Sequence, residues 1–71
     1  MKKRAVPKLM ERLADTDSSV RADAASALGS FEAQGRMAVP KLMELQNDSN
    51  GEVRRQAFTA LKKLGAMSGD Q

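Results

Sequence analysis

The sequence AVPKLME occupies residues 5–11 and occurs again, letter for letter, at residues 38–44. The likeness continues at the same offset of 33 residues, so that Val20-Arg21 has its counterpart in Val53-Arg54. Fourteen of the 33 positions from residue 5 to residue 37 are identical to their counterparts. A period of this length is typical of stacked-repeat proteins, in which each unit is too small to bury its own apolar face. The sequence therefore predicts a repeat scaffold, with repeat one at residues 5–37 and repeat two at residues 38–70.

Composition limits the chemistry that these 71 residues can perform. The chain has no cysteine and no histidine, so the usual thiol nucleophile, transition-metal ligands and neutral-pH base are all missing. Its nine acidic residues show no pairing that suggests catalysis, and it has no glycine-rich phosphate loop and no nucleophile motif. We predict a single domain, residues 1–71, that is not an enzyme and uses no cofactor or metal.

The charge pattern indicates that no segment enters a membrane. The net charge of +3 is mild, and charged residues interrupt the sequence that follows the basic start Met1-Lys2-Lys3-Arg4, where a signal peptide would be apolar. No stretch approaches the ~20 apolar residues that a membrane span needs. The sequence thus predicts a cytoplasmic protein without a membrane partner.

Apolar spacing predicts two helices in each repeat. The first helices should begin with Pro7 and Pro40 in their first turns, where the missing N–H of proline costs nothing. Asp17 and Asn50 are the predicted N-caps of the second helices. The first helices have an apolar stripe of Val6, Leu9, Met10 and Leu13 in repeat one and of Val39, Leu42 and Met43 in repeat two. The second helices have a stripe of Val20, Ala24, Ala27, Leu28 and Phe31 in repeat one and of Val53, Ala57, Ala60, Leu61 and Leu64 in repeat two.

Three further positions bear on these helices. The second helix of repeat one is predicted to run from about residue 18 to residue 31, with Gly35 in the linker as a helix terminator. Gly29 either permits close helix packing or marks an earlier end of that helix. Phe58 replaces Ala25 and lies roughly 120° from the centre of its stripe. It either covers a neighbouring helix at the end of the stack or contacts another chain. Strand-like alternation is missing, so the predicted fold class is all-α.

The recurring residues resemble the HEAT repeat, in particular its short bacterial form that is also found in phycobilisome lyase proteins. The match consists of Ala5-Val6-Pro7-Lys8-Leu9, Val20-Arg21 and Ala27-Leu28, with counterparts from residue 38 to residue 61. The resemblance covers nearly the whole chain. It implies an α-solenoid of two antiparallel helix pairs whose second helices line the concave side. It also implies a structural ladder of hydrogen bonds between adjacent repeats, at the positions Asp15, Arg21, Asp48 and Arg54.

The number of repeats departs from the family pattern. Arrays usually need about three or more repeats for stability, and this sequence contains two. Either the chain is a fragment of a longer array or it completes its core by self-association. Both alternatives leave apolar end faces on the isolated unit, so we predict a homo-oligomer, with Phe58 as the candidate self-association residue.

The second helices carry the candidate binding surface. Arg55, Thr59 and Lys62 fall at i, i+4 and i+7, and the first two have small counterparts in Ala22 and Ser26. We predict a protein–protein interaction or scaffold module that binds through these five residues, with an acidic peptide surface as one partner. A plain solvated helix face is the alternative interpretation. Two other functions stay as alternatives, namely nucleic-acid backbone binding through a basic face and a role as accessory subunit of a lyase-type enzyme.

Overall fold

The computed structural model of the chain describes residues 2–31 and 34–66, and its α-helices follow the repeat plan. They are α1 (Lys2–Arg12), α2 (Ser18–Gly29), α3 (Val39–Glu44) and α4 (Gly51–Lys63). Short 3-10 helices, Gln34–Ala38 and Leu45–Asn47, stand on either side of α3. No strand occurs in the two described ranges, and the prediction of an all-α solenoid is confirmed.

The helices are arranged as two pairs stacked side by side. α1 packs against α2 and α3 against α4, while the most extensive packing between the described elements joins the two second helices, α2 and α4. Between them lies a continuous core whose largest fully buried side chains are Leu28, Leu42, Leu61, Val6 and Val53. Burial of each such side chain contributes about 1.5–3 kcal/mol relative to exposure. Tertiary packing of these apolar side chains therefore stabilises helices that are each too short to be stable alone.

Local sequence signals start and stop the second helices. The Asp17 carboxylate accepts a hydrogen bond from the Ser19 N–H at 2.8 Å. The Asn50 side-chain oxygen accepts from the N–H groups of Glu52 and Val53 at 2.8 and 3.1 Å. Both predicted N-caps are thus confirmed. α4 ends at Lys63 with Leu64 as its C-cap, and Gly65 follows with a φ of 80°, which glycine adopts readily. The Ala66 N–H then returns to the Leu61 carbonyl at 2.9 Å.

The first helices differ from the sequence prediction. α1 begins at Lys2, so Pro7 lies inside the helix and not in its first turn, and this prediction is wrong. The residues before Pro7 include lysines and an arginine, which are good helix formers and extend the helix upstream. Pro40 does lie in the first turn of α3, as predicted. Met43, assigned to the core, is 50% exposed, and this prediction is wrong. The inward contacts come from Leu42 of α3 and from Leu45 of the 3-10 helix that follows it.

The end of α2 also needs correction. This helix stops at Gly29, with Ser30 as its C-cap, and does not continue to Phe31. Gly35 lies beyond that end, in a 3-10 helix, and therefore does not terminate α2. A Cβ on Gly35 would overlap the Leu28 carbonyl oxygen, so this glycine permits close approach of the linker to α2.

Candidate functional site

One flank of α2 forms the interface with α4. A Cβ on Gly29 would stand 2.9 Å from the Cα of Ala60, closer than carbon atoms normally approach. Ala25 and Ala22 lie one and two turns earlier on the same side of α2 and are 0% and 4% exposed. We call these three residues the α2 flank. Ala22 was expected to offer surface to a partner; this is wrong, because the residue is buried in the helix packing.

The equivalent flank of α4 has a different character. The residues 33 positions after the α2 flank are Arg55, Phe58 and Lys62, all of them exposed, and we call them the α4 flank. Three small residues on α2 therefore correspond to three residues with large side chains on α4. Ser26 and Thr59, which correspond to each other, are also exposed. The α4 flank therefore presents two cations together with one exposed aromatic ring.

Phe58 and Lys62 interact on the α4 flank. The Lys62 Nζ lies 5.4 Å from the centre of the Phe58 ring, within the range of a cation–π contact. Phe58 is 44% exposed, so the ring is partly packed and partly open to solvent. The two residues are one turn apart on the helix, which is the spacing that brings side chains together. The flank thus offers an apolar ring bordered by positive charge.

The third residue of the α4 flank is already paired. The Arg55 guanidinium donates from Nη2 to both carboxylate oxygens of Glu52, at 2.7 and 2.9 Å. Gln56 Nε2 donates to the same carboxylate at 2.8 Å. These hydrogen bonds, that of Gln56 first and then those of Arg55, lower the pKa of Glu52. This pair was not predicted from the sequence, although the i, i+3 spacing of Glu52 and Arg55 is a signal for it.

A bidentate ion pair joins the two helix pairs. Arg21 donates from Nε and Nη2 to the two carboxylate oxygens of Asp48, each at 2.9 Å. Its Nη1 donates to the Asp15 carbonyl at 2.7 Å and to the Thr16 carbonyl at 3.1 Å. The hydrogen bond from Arg21, followed by that from the Asn50 N–H, lowers the pKa of Asp48. Arg21 therefore donates hydrogen bonds both to the turn of its own helix pair and to the Asp48 carboxylate of the second pair.

Arg54 and Asp15 occupy the other two ladder positions, and their side chains form hydrogen bonds with backbone groups of the turns. Arg54 Nη1 donates to the Asp48 carbonyl at 2.6 Å, which repeats the bond from Arg21 to Asp15. The Asp15 carboxylate accepts from the Asp17 N–H at 2.8 Å, as the Asp48 carboxylate does from Asn50 at 2.9 Å. Across residues 2–31 and 34–66, no ion pair joins the side chain of Asp15 or of Arg54 to another residue.

Two other kinds of feature, a metal site and a membrane-spanning helix, are not found in the described part of the chain. Residues 2–31 and 34–66 contain no cluster of three or more acidic side chains that could hold a metal ion. None of the helices in these ranges is long and apolar enough to cross a lipid bilayer.

Comparison with known families gives one match. A family model described as HEAT repeats matches residues 3–70. Comparison with curated proteins and with solved structures gives no match. The match spans nearly all of the chain and includes both helix pairs.

Proposed function

The chain belongs to the HEAT-repeat family, and from this premise we propose that it binds another protein through the α4 flank and the adjacent Thr59. HEAT repeats are in general scaffold modules for protein interaction, and the family is typically non-catalytic. The observation that carries the proposal is the change from Ala22, Ala25 and Gly29 on α2 to Arg55, Phe58 and Lys62 on α4.

The exposed chemistry of the α4 flank defines the class of partner. A partly open aromatic ring beside an ammonium group suits a peptide that places an apolar side chain next to a carboxylate. Arg55 is held by Glu52, so a partner carboxylate must compete with this internal pair for the guanidinium. Lys62 has no such competitor among the described ion pairs. We therefore assign the main electrostatic contact to Lys62 and the main apolar contact to Phe58.

Nuclear magnetic resonance titration tests this assignment. Synthetic peptides that alternate glutamate and leucine should shift the backbone amide signals of Arg55, Phe58, Thr59 and Lys62. Peptides with lysine in place of glutamate should not. F58A and K62A should each weaken binding, whereas M43A and K41A, which alter an exposed methionine and an exposed lysine on α3, should leave it unchanged. Equal effects of the α3 and α4 substitutions would refute the assignment.

The same titration separates this function from nucleic-acid binding. A short DNA duplex would bind with an affinity that falls steeply with salt, because binding to phosphates releases condensed counterions. The pairing of Arg55 with Glu52 reduces the positive charge that the α4 flank can offer to a duplex. We expect duplex addition to cause no shift at low salt. Shifts at Lys62 that disappear at high salt, without any response to the acidic peptides, would favour nucleic acid instead.

A further inference from the structure

The side of the first helix pair that faces away from the second carries an open groove between α1 and α2. We call it the N-terminal groove. Its apolar floor is formed by half-buried Leu9, Val20 and Ala27 together with buried Ala24. Three charged residues complete its lining, namely Arg12, Asp15 and Asp23. This groove is unrelated to the α4 flank and plays no part in the function proposed above.

The second helix pair shows what such a groove is built to hold. The counterparts of the four floor residues, 33 positions later, are Leu42, Val53, Ala57 and Ala60. All four are no more than 1% exposed. They are covered because α2 packs along α4, with Gly29 directly against Ala60. The same surface therefore occurs twice in the molecule, once covered by a helix and once open.

An aspartate at the turn is a second feature that the covered surface and the open groove share. Asp48 stands beside the covered surface and binds Arg21 of the covering helix in bidentate fashion. Asp15 is its counterpart beside the open groove and holds the same backbone N–H two residues on. The Asp15 carboxylate keeps acceptor capacity, since a carboxylate offers about four lone-pair sites. An arginine that approached Asp15 as Arg21 approaches Asp48 would occupy these remaining acceptor sites.

A second unaltered copy of this chain does not supply the matching helix. Of the two second-helix flanks in the described part of the chain, that of α4 is the uncovered one, and it carries Arg55, Phe58 and Lys62. The covering helix needs glycine at the last of these positions, because even a methyl group there meets backbone. A lysine at the equivalent position is larger still. The α4 flank is therefore closed to the type of packing that the N-terminal groove is open to.

We propose that the N-terminal groove binds the second helix of a helical repeat on a partner protein. The covering helix of this structure defines the partner's chemistry: an arginine, small residues one and four positions later, and glycine eight positions later, as in Arg21, Ala22, Ala25 and Gly29. The partner's arginine pairs with Asp15, and its glycine packs against Ala27. The N-terminal groove thus accepts a further repeat, whereas the α4 flank does not.

A donor made from this chain tests the proposal. The variant R55A/F58A/K62G presents on α4 the residues of the α2 flank next to Arg54. Adding V20E to the same donor blocks its own groove; Val20 is in the first turn of α2, where a carboxylate also suits the helix dipole. Mixed with wild-type acceptor, this donor should form a one-to-one complex by sedimentation and calorimetry. The unaltered chain used as donor should form none.

Matched variants localise the contact. The acceptor variant D15N should bind the donor about tenfold or more weakly, because a charge-assisted hydrogen bond is lost. The acceptor variant V20E should not bind, and a donor with K62A in place of K62G should lose binding through its added methyl group. Equal binding by wild-type and V20E acceptors would overturn the proposal. Wild-type dimers that V20E abolishes would overturn it as well, since the occupant would then be a second copy.

If circular dichroism shows that the donor has lost helicity, a covalent tandem provides a second test. Residue 70 of a copy with R55A/F58A/K62G is joined to residue 5 of a second copy, which keeps the 33-residue period and makes the contact intramolecular. D15N in the second copy should then lower the denaturation midpoint more than D15N in the first, whose groove stays open in either case. Equal effects in the two copies would refute the proposal.

Discussion

Arg21 and Asp48 are joined by two parallel hydrogen bonds of 2.9 Å that cross from the first helix pair to the second. Both side chains are largely covered, and this fork-to-fork geometry is the strongest form of arginine–carboxylate contact. The remaining guanidinium nitrogen of Arg21 binds the turn of its own pair. The contact therefore fixes the stacking register of the two pairs in addition to the apolar packing of α2 on α4.

Replacing Asp48 tests this role. D48N keeps the shape of the side chain but removes its charge and one of the two acceptors for Arg21. We expect a lower urea midpoint for D48N than for wild type at neutral pH. D15N is the matched control, because within residues 2–31 and 34–66 the Asp15 carboxylate accepts a backbone N–H of its own turn and no ion pair joins it to another side chain. A midpoint for D15N as low as that for D48N would show that the pairing with Arg21 adds nothing.

The lowered pKa of Asp48 predicts a pH dependence of stability. The hydrogen bond from Arg21 is the largest cause of that shift, and the bond from the Asn50 N–H adds to it. Because the folded pKa lies below the unfolded one, the stabilisation is fully present above the ordinary carboxyl value of about 4 and is lost as pH falls through the lowered value. The pKa of Glu52 is lowered too and contributes in the same direction.

Denaturation midpoints measured from neutral to strongly acidic pH would show this loss. The acid-induced decrease should be smaller in D48N than in wild type, because the variant has no carboxylate at this position to protonate. E52Q is the comparison for the exposed pair on α4, which is screened by solvent and should matter less. A decrease in D48N as steep as in wild type would place the acid sensitivity elsewhere.

Gly29 gives a prediction in which two effects oppose each other. Alanine is a better helix former than glycine by about 1 kcal/mol. At Gly29, however, its methyl group would meet the Cα and Cβ of Ala60 at 2.9 and 3.0 Å, and overpacking typically costs about 1–3 kcal/mol. We expect G29A to be destabilised overall, because the opposing atoms include backbone and cannot move aside cheaply.

G51A is the matched control for G29A. A methyl group on Gly51 would meet only the end of the flexible Arg54 side chain, at 3.4 Å. We expect its midpoint to equal or slightly exceed that of wild type. The difference between the two variants isolates the close approach of α2 and α4. A stabilised G29A would show that the two helices can separate at little cost.

The repeat predicted the fold well and the binding surface less well, for a physical reason. Spacing and caps located the second helices, because Asp17 and Asn50 act within their own turns. A single apolar stripe, however, describes a helix that packs on one side. α2 packs against both α1 and α4, so Ala22 and Ala25 are buried outside the predicted stripe. Their small size gave no sign of which neighbour would cover them.

Pairing across the turns shows the same limit. The sequence placed Asp15, Arg21, Asp48 and Arg54 at equivalent positions. Which carboxylate each arginine binds depends on the stacking of the two helix pairs, which spacing along the chain does not specify. The structure brings Arg21 to the carboxylate of Asp48 and only to the backbone carbonyl of Asp15.

Asn50 combines a local and a long-range contact, and the two can be separated. Its side-chain oxygen caps α4, while its Nδ2 donates to the Ser18 Oγ at 3.2 Å, at the start of α2. N50A removes both and should cost about 0.5–2 kcal/mol of unfolding free energy. N50D keeps a capping oxygen and adds a charge that suits the helix N-terminus, but it lacks the donor to Ser18. We therefore expect N50D to lose less than N50A, and S18A to lose about as little as N50D. Urea denaturation of the three variants measures the order, and an N50D midpoint as low as that of N50A would mean that the bond to Ser18 outweighs the cap.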